Sequence, residues 1–550
     1  MAASTQGSAA PTSAAPESVT AYLARTKPLA LQHLSAAKPE SSLMLVMGNT
    51  AGDLDSAASA IGLAYLLTHF PSTHPLSLPA GTVIVPLLHS EPADASLRPE
   101  NTMAFERASL SLSAPLHVSE LPAAASSEAF ASSRNTFFGL VDHASLAPQW
   151  ASSASGGAEV KAIVDHHVDE SAHSSAPLRV FKGPGSADPP IGSAASIVAD
   201  LYREAFEAGK VPTELVDLLL SAILIDTDDV RPCPNGKAAP LDVSSYKLLA
   251  PLSSIASSSA SGLSAPSDTS EIKATPDAVA AAAPAVTAFW QQLVTAKLDV
   301  SRLSSRDLLR RDWKEFSVPL PASGESVPAA QQQQVVQVGF ASVPQGLSTW
   351  LDRIEVSLGT TPASPGVKQP PAGRTAAWES FWTSLESWMR EKSLDFCVVG
   401  TSFRETRSAE SRSGSEEEER AEERAAKEDK HKRETIIAAQ PHTLSASRLD
   451  AIWPSITAIL EKPRFETGAE DTLLLQPWRG ARSDGASGKR EKVQGLTLLR
   501  DSKSQDVGKD ARGVRASGLR VTLWRQGNAR ASRKVVLPLV LGAVKKALGV

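Results

Sequence analysis

Two aspartates stand two apart in the stretch Gly48-Asn49-Thr50-Ala51-Gly52-Asp53-Leu54-Asp55-Ser56, directly after the apolar run Leu43-Met44-Leu45-Val46-Met47. Either they cap the helix that follows or they hold a cation. More acids and imidazoles follow other apolar runs. Asp142 and His143 come after 137–141, Asp165, His166 and His167 after 161–164, and Asp226 closes a helical run over 213–226. Each alone has a plain structural reading: an N-cap, a satisfied histidine pair, the start of a turn. Together they read differently. If the loops meet at one sheet edge, several carboxylates converge there and repel unless cations neutralise them. Carboxylates with imidazoles and no thiolates suit Mn²⁺ or Mg²⁺, with Co²⁺ a further candidate, better than a structural zinc. Shared carboxylates point to two ions bridging a water nucleophile.

The elements that must position these residues are short apolar strands at 43–48, 82–88, 137–142 and 161–165, with helices at 56–69, 193–208 and 213–226. Alternating strands and helices predict an α/β fold with a parallel sheet, helices on both faces, and a site at the C-terminal strand ends. This first domain is expected over 20–232, after a disordered tail at 1–18. Residues 252–284 are rich in Ser, Ala and Pro and read as a linker. A second, smaller domain is expected over 285–550, with inserts at 359–375, 407–434 and 481–518. Within it the charge run Ser415–Glu434 reads as a solvated insert, and the C-terminal Val535–Val550 as a buried strand and terminal helix.

At 550 residues, 42% apolar and 21% charged, the chain is long enough and apolar enough for two or more packed domains. A net charge of −5 gives no basic field for nucleic acid, and no aromatic-basic pattern suggests a single-strand platform. The two cysteines, Cys233 and Cys397, lie far apart, so a disulfide framework is excluded and a reducing, cytoplasmic setting is expected. The N-terminus lacks a basic start followed by an apolar core, and no run of apolar residues is long enough to span a membrane. A monomer is favoured.

The stretches GNTAGDLDS, VDHA, VDHHVD and ILIDT, in this order, resemble the successive motifs of the DHH phosphoesterase superfamily, whose name matches Asp165-His166-His167. RDLLRRDWKEF at 306–316, VQVGFASVP and NARASRKVVLP at 528–538 resemble its associated DHHA2 domain. That pairing occurs in family II inorganic pyrophosphatases, cytosolic exopolyphosphatases and the prune proteins. The resemblance implies an active site in the cleft between the two domains. It implies metal ligands at Asp53, Asp55, Asp142, His166 and Asp226, with Asp142 and Asp226 bridging, which leaves Ser56 to cap the helix. It implies that His167 faces phosphate as donor or acid and that Asp165 orients the histidine pair. It places substrate phosphate on Asn49 and His167 and on Lys314, Arg533 and Lys534, where polyanion chemistry also calls for cations. Asn49 stands where the pyrophosphatases usually have His, as in the exopolyphosphatase and prune branch, whereas prune-like members tend to lack the second histidine. GSAASIVADLY at 192–202 resembles the following segment, whose helix amides would help bind phosphate. The expected activity is metal-dependent release of terminal orthophosphate from inorganic polyphosphate. The alternatives are a pyrophosphatase acting on pyrophosphate, short polyphosphates or a nucleotide phosphate, and a prune-like interaction protein. The branches that act on nucleic acid or cyclic dinucleotides carry a glycine-rich motif absent here.

Overall fold

Leu43–Met47 forms the first strand (β1) with all five residues buried, as a strand covered on both faces requires. A computed structural model describes residues 16–36, 38–122, 135–146, 150, 159–186, 189–232, 236–257, 276–320, 334–359, 372–404, 431–461, 473–478, 493–498 and 511–550. The tail 1–15, most of the Ser/Ala/Pro-rich segment, most of the three inserts and Cys233 lie outside them. The chain divides into two compact units, Met1–Asp299 and Val300–Val550.

In the first unit the further strands are Val83–Leu88 (β2), Leu116–His117 (β3), Thr136–Val141 (β4), Glu159–Asp165 (β5) and Leu178–Phe181 (β6). They form one parallel sheet in the order β3-β2-β1-β4-β5-β6. Alternation along β1 splits the core. Met44 and Val46 join the cluster built with Leu54–His69 (α2), Ala194–Leu201 and Thr213–Thr227, while Leu43, Leu45 and Met47 face Ala30 and Leu34 of Val19–Ser35 (α1). The other helices are Pro99–Arg107 (α3), Ala194–Leu201 (α4), Arg203–Glu207 (α5), Thr213–Thr227 (α6), Pro240–Leu249 (α7), Ser254–Ser257 (α8) and Pro276–Leu298 (α9). The helix expected over 193–208 is two, interrupted at Tyr202, whose backbone leaves the helical region. Val286, Phe289 and Leu293 of α9 belong to the core of this first unit.

Register puts the site loops side by side. Met47 pairs with Leu87 and Leu140, and Val141 pairs with Val164, so the residues after β1, β2, β4 and β5 leave the sheet at one edge. The chain reverses its direction across the sheet between β1 and β4, and such a switch point opens a crevice beyond the strand ends.

The second unit begins with Ser305–Arg311 (α10) and Trp313–Pro319 (β7), followed by Val335–Val343 (β8), Leu347–Ser357 (α11), Ala372–Glu391 (α12), Phe396–Thr401 (β9), Phe403–Arg404 (β10) and His431–Ala439 (β11). Ala446–Glu461 (α13), Leu475–Pro477 (β12), Thr497–Leu498 (β13), Arg512–Val514 (β14), Arg520–Gln526 (β15) and Arg533–Leu548 (α14) complete it. Its sheet runs β13-β14-β15-β11-β9-β8-β7. Among its described strands only β8 and β9 are parallel neighbours. Two sequence readings change here. His431–Glu434, read as the end of a solvated charge run, opens β11, because Thr435 to Ala439 behind it are buried and extend the strand. The C-terminal segment is one helix rather than a strand and a helix: Val536, Val540, Ala543 and Val544 recur at helical spacing on its buried face. No described helix is long and apolar enough to cross a membrane.

Candidate metal centre

Asp142 sits just past β4 in the left-handed region at φ 59°, a conformation that Asp tolerates better than most residues. Its side chain is buried, and donors converge on it. Asn49 Nδ2 donates to Oδ2 at 2.5 Å and the Ser56 hydroxyl donates to the same oxygen at 2.6 Å. His166 Nε2 lies 3.1 Å from Oδ1, and His167 Nδ1 lies 3.6 Å from it. Ligand atoms of Asp142, His166 and His167 fall within 4.8 Å of one another.

The hydrogen bonds fix the tautomers. His166 Nδ1 lies 2.8 Å from the Ile191 carbonyl, which only accepts, so Nδ1 carries the proton. In the neutral ring the Nε2 lone pair then faces the Asp142 carboxylate at 3.1 Å. Two electron-pair donors at that distance need a proton or a cation between them. The residues therefore fit a divalent ion, and an imidazole held through its far nitrogen is the usual arrangement for a ligand. Asp165 Oδ1 accepts from the backbone N–H groups of His166 and His167 at 2.7 and 3.1 Å and lies 2.8 Å from His167 Nδ1. That leaves His167 Nε2 outside this network, on a side chain 30% exposed.

The other acids stand around this group. Asp55 is buried, with Oδ2 3.9 Å from His166 Nε2. Its carboxylate accepts from the Ser193 hydroxyl and from the Ala194 and Ala195 amides at 2.7–2.9 Å. The amides opening α4, expected to help bind phosphate, are thus taken by Asp55. Asp53 is the N-cap of α2 and accepts from Ser56 N at 3.0 Å. The cap is Asp53 rather than Ser56, because the helix starts at Leu54 and the Ser56 hydroxyl is committed to Asp142. Asp226 lies in the last turn of α6, 3.8 Å from Lys297 Nζ.

The electrostatics show how tightly the acids are gathered. Burial, reinforced by Asp142 and Asp226, pushes the Asp55 carboxyl well above its usual range. Burial also raises Asp226, with Asp53 and Asp142 adding and Lys297 and Lys237 opposing. Asp142 moves the other way: burial pulls it up, but the hydrogen bond and charge that His166 supplies when its ring is protonated, with His167 and Ser56, hold it well below the carboxylate range.

Several supports carried no sequence signal. Gly52, at φ 58°, packs so closely on Ser90 that a Cβ would sit 3.0 Å from the Ser90 Cβ. Arg98 donates to the Ala51 carbonyl at 2.7 Å and Asn101 to the Gly52 carbonyl at 3.0 Å, clamping the loop that carries Asn49 and Asp53. Gly183 lies against the backbone of His166 and His167. In the second unit, Lys314 is on β7, and Arg533 opens α14 with its guanidinium 2.6 Å from Asp312. Lys534 beside it is exposed.

Residues 43–223 match the sequence profile of the DHH family, N-terminal domain, and residues 291–543 match that of the DHHA2 domain. The chain belongs to the DHH superfamily and carries a DHHA2 domain. This DHH protein is 29% identical over 218 residues to a Schizosaccharomyces pombe protein described as a "Putative exopolyphosphatase", covering 39% of this chain and 51% of that one. It thus spans about half the length of that curated relative. A crystal structure of a Methanococcus jannaschii "putative family II inorganic pyrophosphatase" aligns at 20% identity and a TM-score of 0.33, over 65% of this chain and 83% of that one.

Proposed function

We propose that this DHH protein is a metal-dependent exopolyphosphatase that releases terminal orthophosphate from inorganic polyphosphate in the cytoplasm. The observation that carries the reading is the facing of His166 Nε2 and Asp142 Oδ1 at 3.1 Å, with His166 Nδ1 committed to a carbonyl. The description of the S. pombe relative agrees with this substrate.

We assign Asp142, His166, Asp53, Asp55 and Asp226 to two divalent ions, Mn²⁺ or Mg²⁺. When bound, such ions activate water and neutralise charge on the attacked phosphoryl group. The chain's own residues do the rest. Asn49 and Ser56 fix the Asp142 carboxylate in one orientation. Asp165 holds the His167 ring through Nδ1, and Nε2 of the protonated ring is assigned to the substrate phosphate as hydrogen-bond donor or acid. Asn49 already gives its amide N–H to Asp142, so its assigned role at the phosphate is indirect. Lys314, Arg533 and Lys534 are assigned to the remaining phosphate charge.

Phosphate release from long polyphosphate, tripolyphosphate and pyrophosphate, measured in parallel over Mn²⁺, Mg²⁺ and Co²⁺, tests the proposal. Preference for the polymer is the expected result. Preference for pyrophosphate would make the protein a pyrophosphatase, and no hydrolysis with any metal would leave a prune-like interaction protein.

A further inference from the structure

Arg433 on β11 is an arginine in search of an anion. Its Nε donates to the Ala529 carbonyl at 2.7 Å, and it has no carboxylate partner among the described residues. Burial pushes its guanidinium below the usual range with nothing to offset it. Four other arginines of this unit are paired with carboxylates. Arg512 pairs with Glu461, Arg515 with Glu379 and Glu386, Arg520 with Asp450 and Arg533 with Asp312. The adjacent Glu434 is no partner. Its carboxylate is buried and taken by the Leu347 amide, the Thr401 hydroxyl and the Trp478 indole.

The position has a meaning in the sheet. Arg433 pairs with Gln526 at the end of β15. Ala529, which its Nε holds, lies in the loop from β15 to Arg533 and Lys534. The first residues of β7, with Lys314, the last of β8 and β9, the first of β11 and the last of β15 share this end of the sheet. β7 and β11 are three places apart, about 14 Å at ordinary strand spacing. That spread is wider than a diphosphate.

We propose that Arg433 binds a phosphate group of the substrate, its Nη groups forming a subsite that serves chains longer than pyrophosphate. A half-buried guanidinium fixed through Nε and lacking a carboxylate presents paired N–H groups to an oxyanion. The inference rests on the phosphoanhydride reading above, and its test separates the two.

In the full chain, Arg433→Gln keeps an amide donor for the Ala529 carbonyl and loses the charge, whereas Arg433→Lys keeps the charge. Calorimetry with metal-loaded protein measures affinity for non-hydrolysable diimidotriphosphate, a three-phosphate analogue, and turnover of tripolyphosphate and pyrophosphate gives KM and kcat. Arg433→Gln should weaken diimidotriphosphate binding and raise KM for tripolyphosphate, each about tenfold or more, as for a lost hydrogen bond to a charged group. Arg433→Lys should retain part of both. The KM effect should be larger for tripolyphosphate than for pyrophosphate, with kcat little changed. Circular dichroism establishes that each variant is folded. If Gln behaves as Arg does, the side chain only clamps the loop and the proposal falls. If the wild type hydrolyses no phosphoanhydride yet Arg433→Gln still loses diimidotriphosphate affinity, the anion site stands and the hydrolase reading fails.

Discussion

Asp53 shows how one side chain can serve two ends. It caps α2 through Ser56 N, and we assign it to a metal as well. Asparagine caps about as well as aspartate, while alanine costs about 1 kcal/mol. Asp53→Asn should therefore leave the melting temperature of the metal-free protein near wild type and weaken Mn²⁺ binding about ten- to a hundredfold, the scale of one lost charged interaction. Calorimetric titration and thermal melting together check this, and unchanged affinity would leave Asp53 a cap alone. Asp217 is a separate case, away from the acids around Asp142. Burial raises its carboxyl from 3.8 to about 6, against hydrogen bonds from Ser254. The folded chain holds this proton more tightly than the unfolded chain. This group's contribution to stability is thus full below pH 3.8 and falls as pH rises towards about 6, by about 3 kcal/mol in all. Asp217→Asn should remove that part of the pH dependence in denaturant unfolding measured between pH 4 and 7, roughly the span of the shift.

At the scale of elements, the site depends on close backbone approach as much as on ligands. A Cβ on Gly183 would lie 1.9 Å from the His167 carbonyl oxygen, and neither backbone can yield cheaply. Gly183→Ala should destabilise the protein by about 1–3 kcal/mol, as overpacking does, and should displace His166 and His167. Loss of metal affinity beside a retained α/β circular dichroism spectrum would show that displacement, and wild-type affinity would refute it. The strands were legible from short apolar runs, because burial on both faces leaves a continuous apolar signature. The break at Tyr202 was not legible, since apolar residues continue through it. Nor was the start of β11, whose charged residues obscure the strand that its buried half defines.

At the scale of the molecule, each unit has its own core, and the acids assigned to metal all lie in the first. A cation that binds the folded first unit, and not the unfolded chain, stabilises by mass action, about 2.7 kcal/mol at a hundredfold excess over its Kd. Mn²⁺ should raise the melting temperature of the wild type and EDTA should reverse the rise. Asp142→Asn should show little of either, and an equal rise in that variant would move the metal elsewhere.

What the sequence determined by itself was the inventory: which strands are buried, which residues follow them, and an order of motifs that resembles one superfamily. Those are local properties, carried by runs of a few residues. Only the tertiary structure decided which atoms meet. Asp142 gathers Asn49, Ser56 and His166 because parallel register aligns the ends of β1, β4 and β5. Asp55, and not phosphate, takes the α4 amides because α2 and α4 pack together. Among the described residues Arg433 stands without a carboxylate, because its neighbour Glu434 is turned into a buried network, a relation set by pairing between distant strands that no stretch of sequence contains.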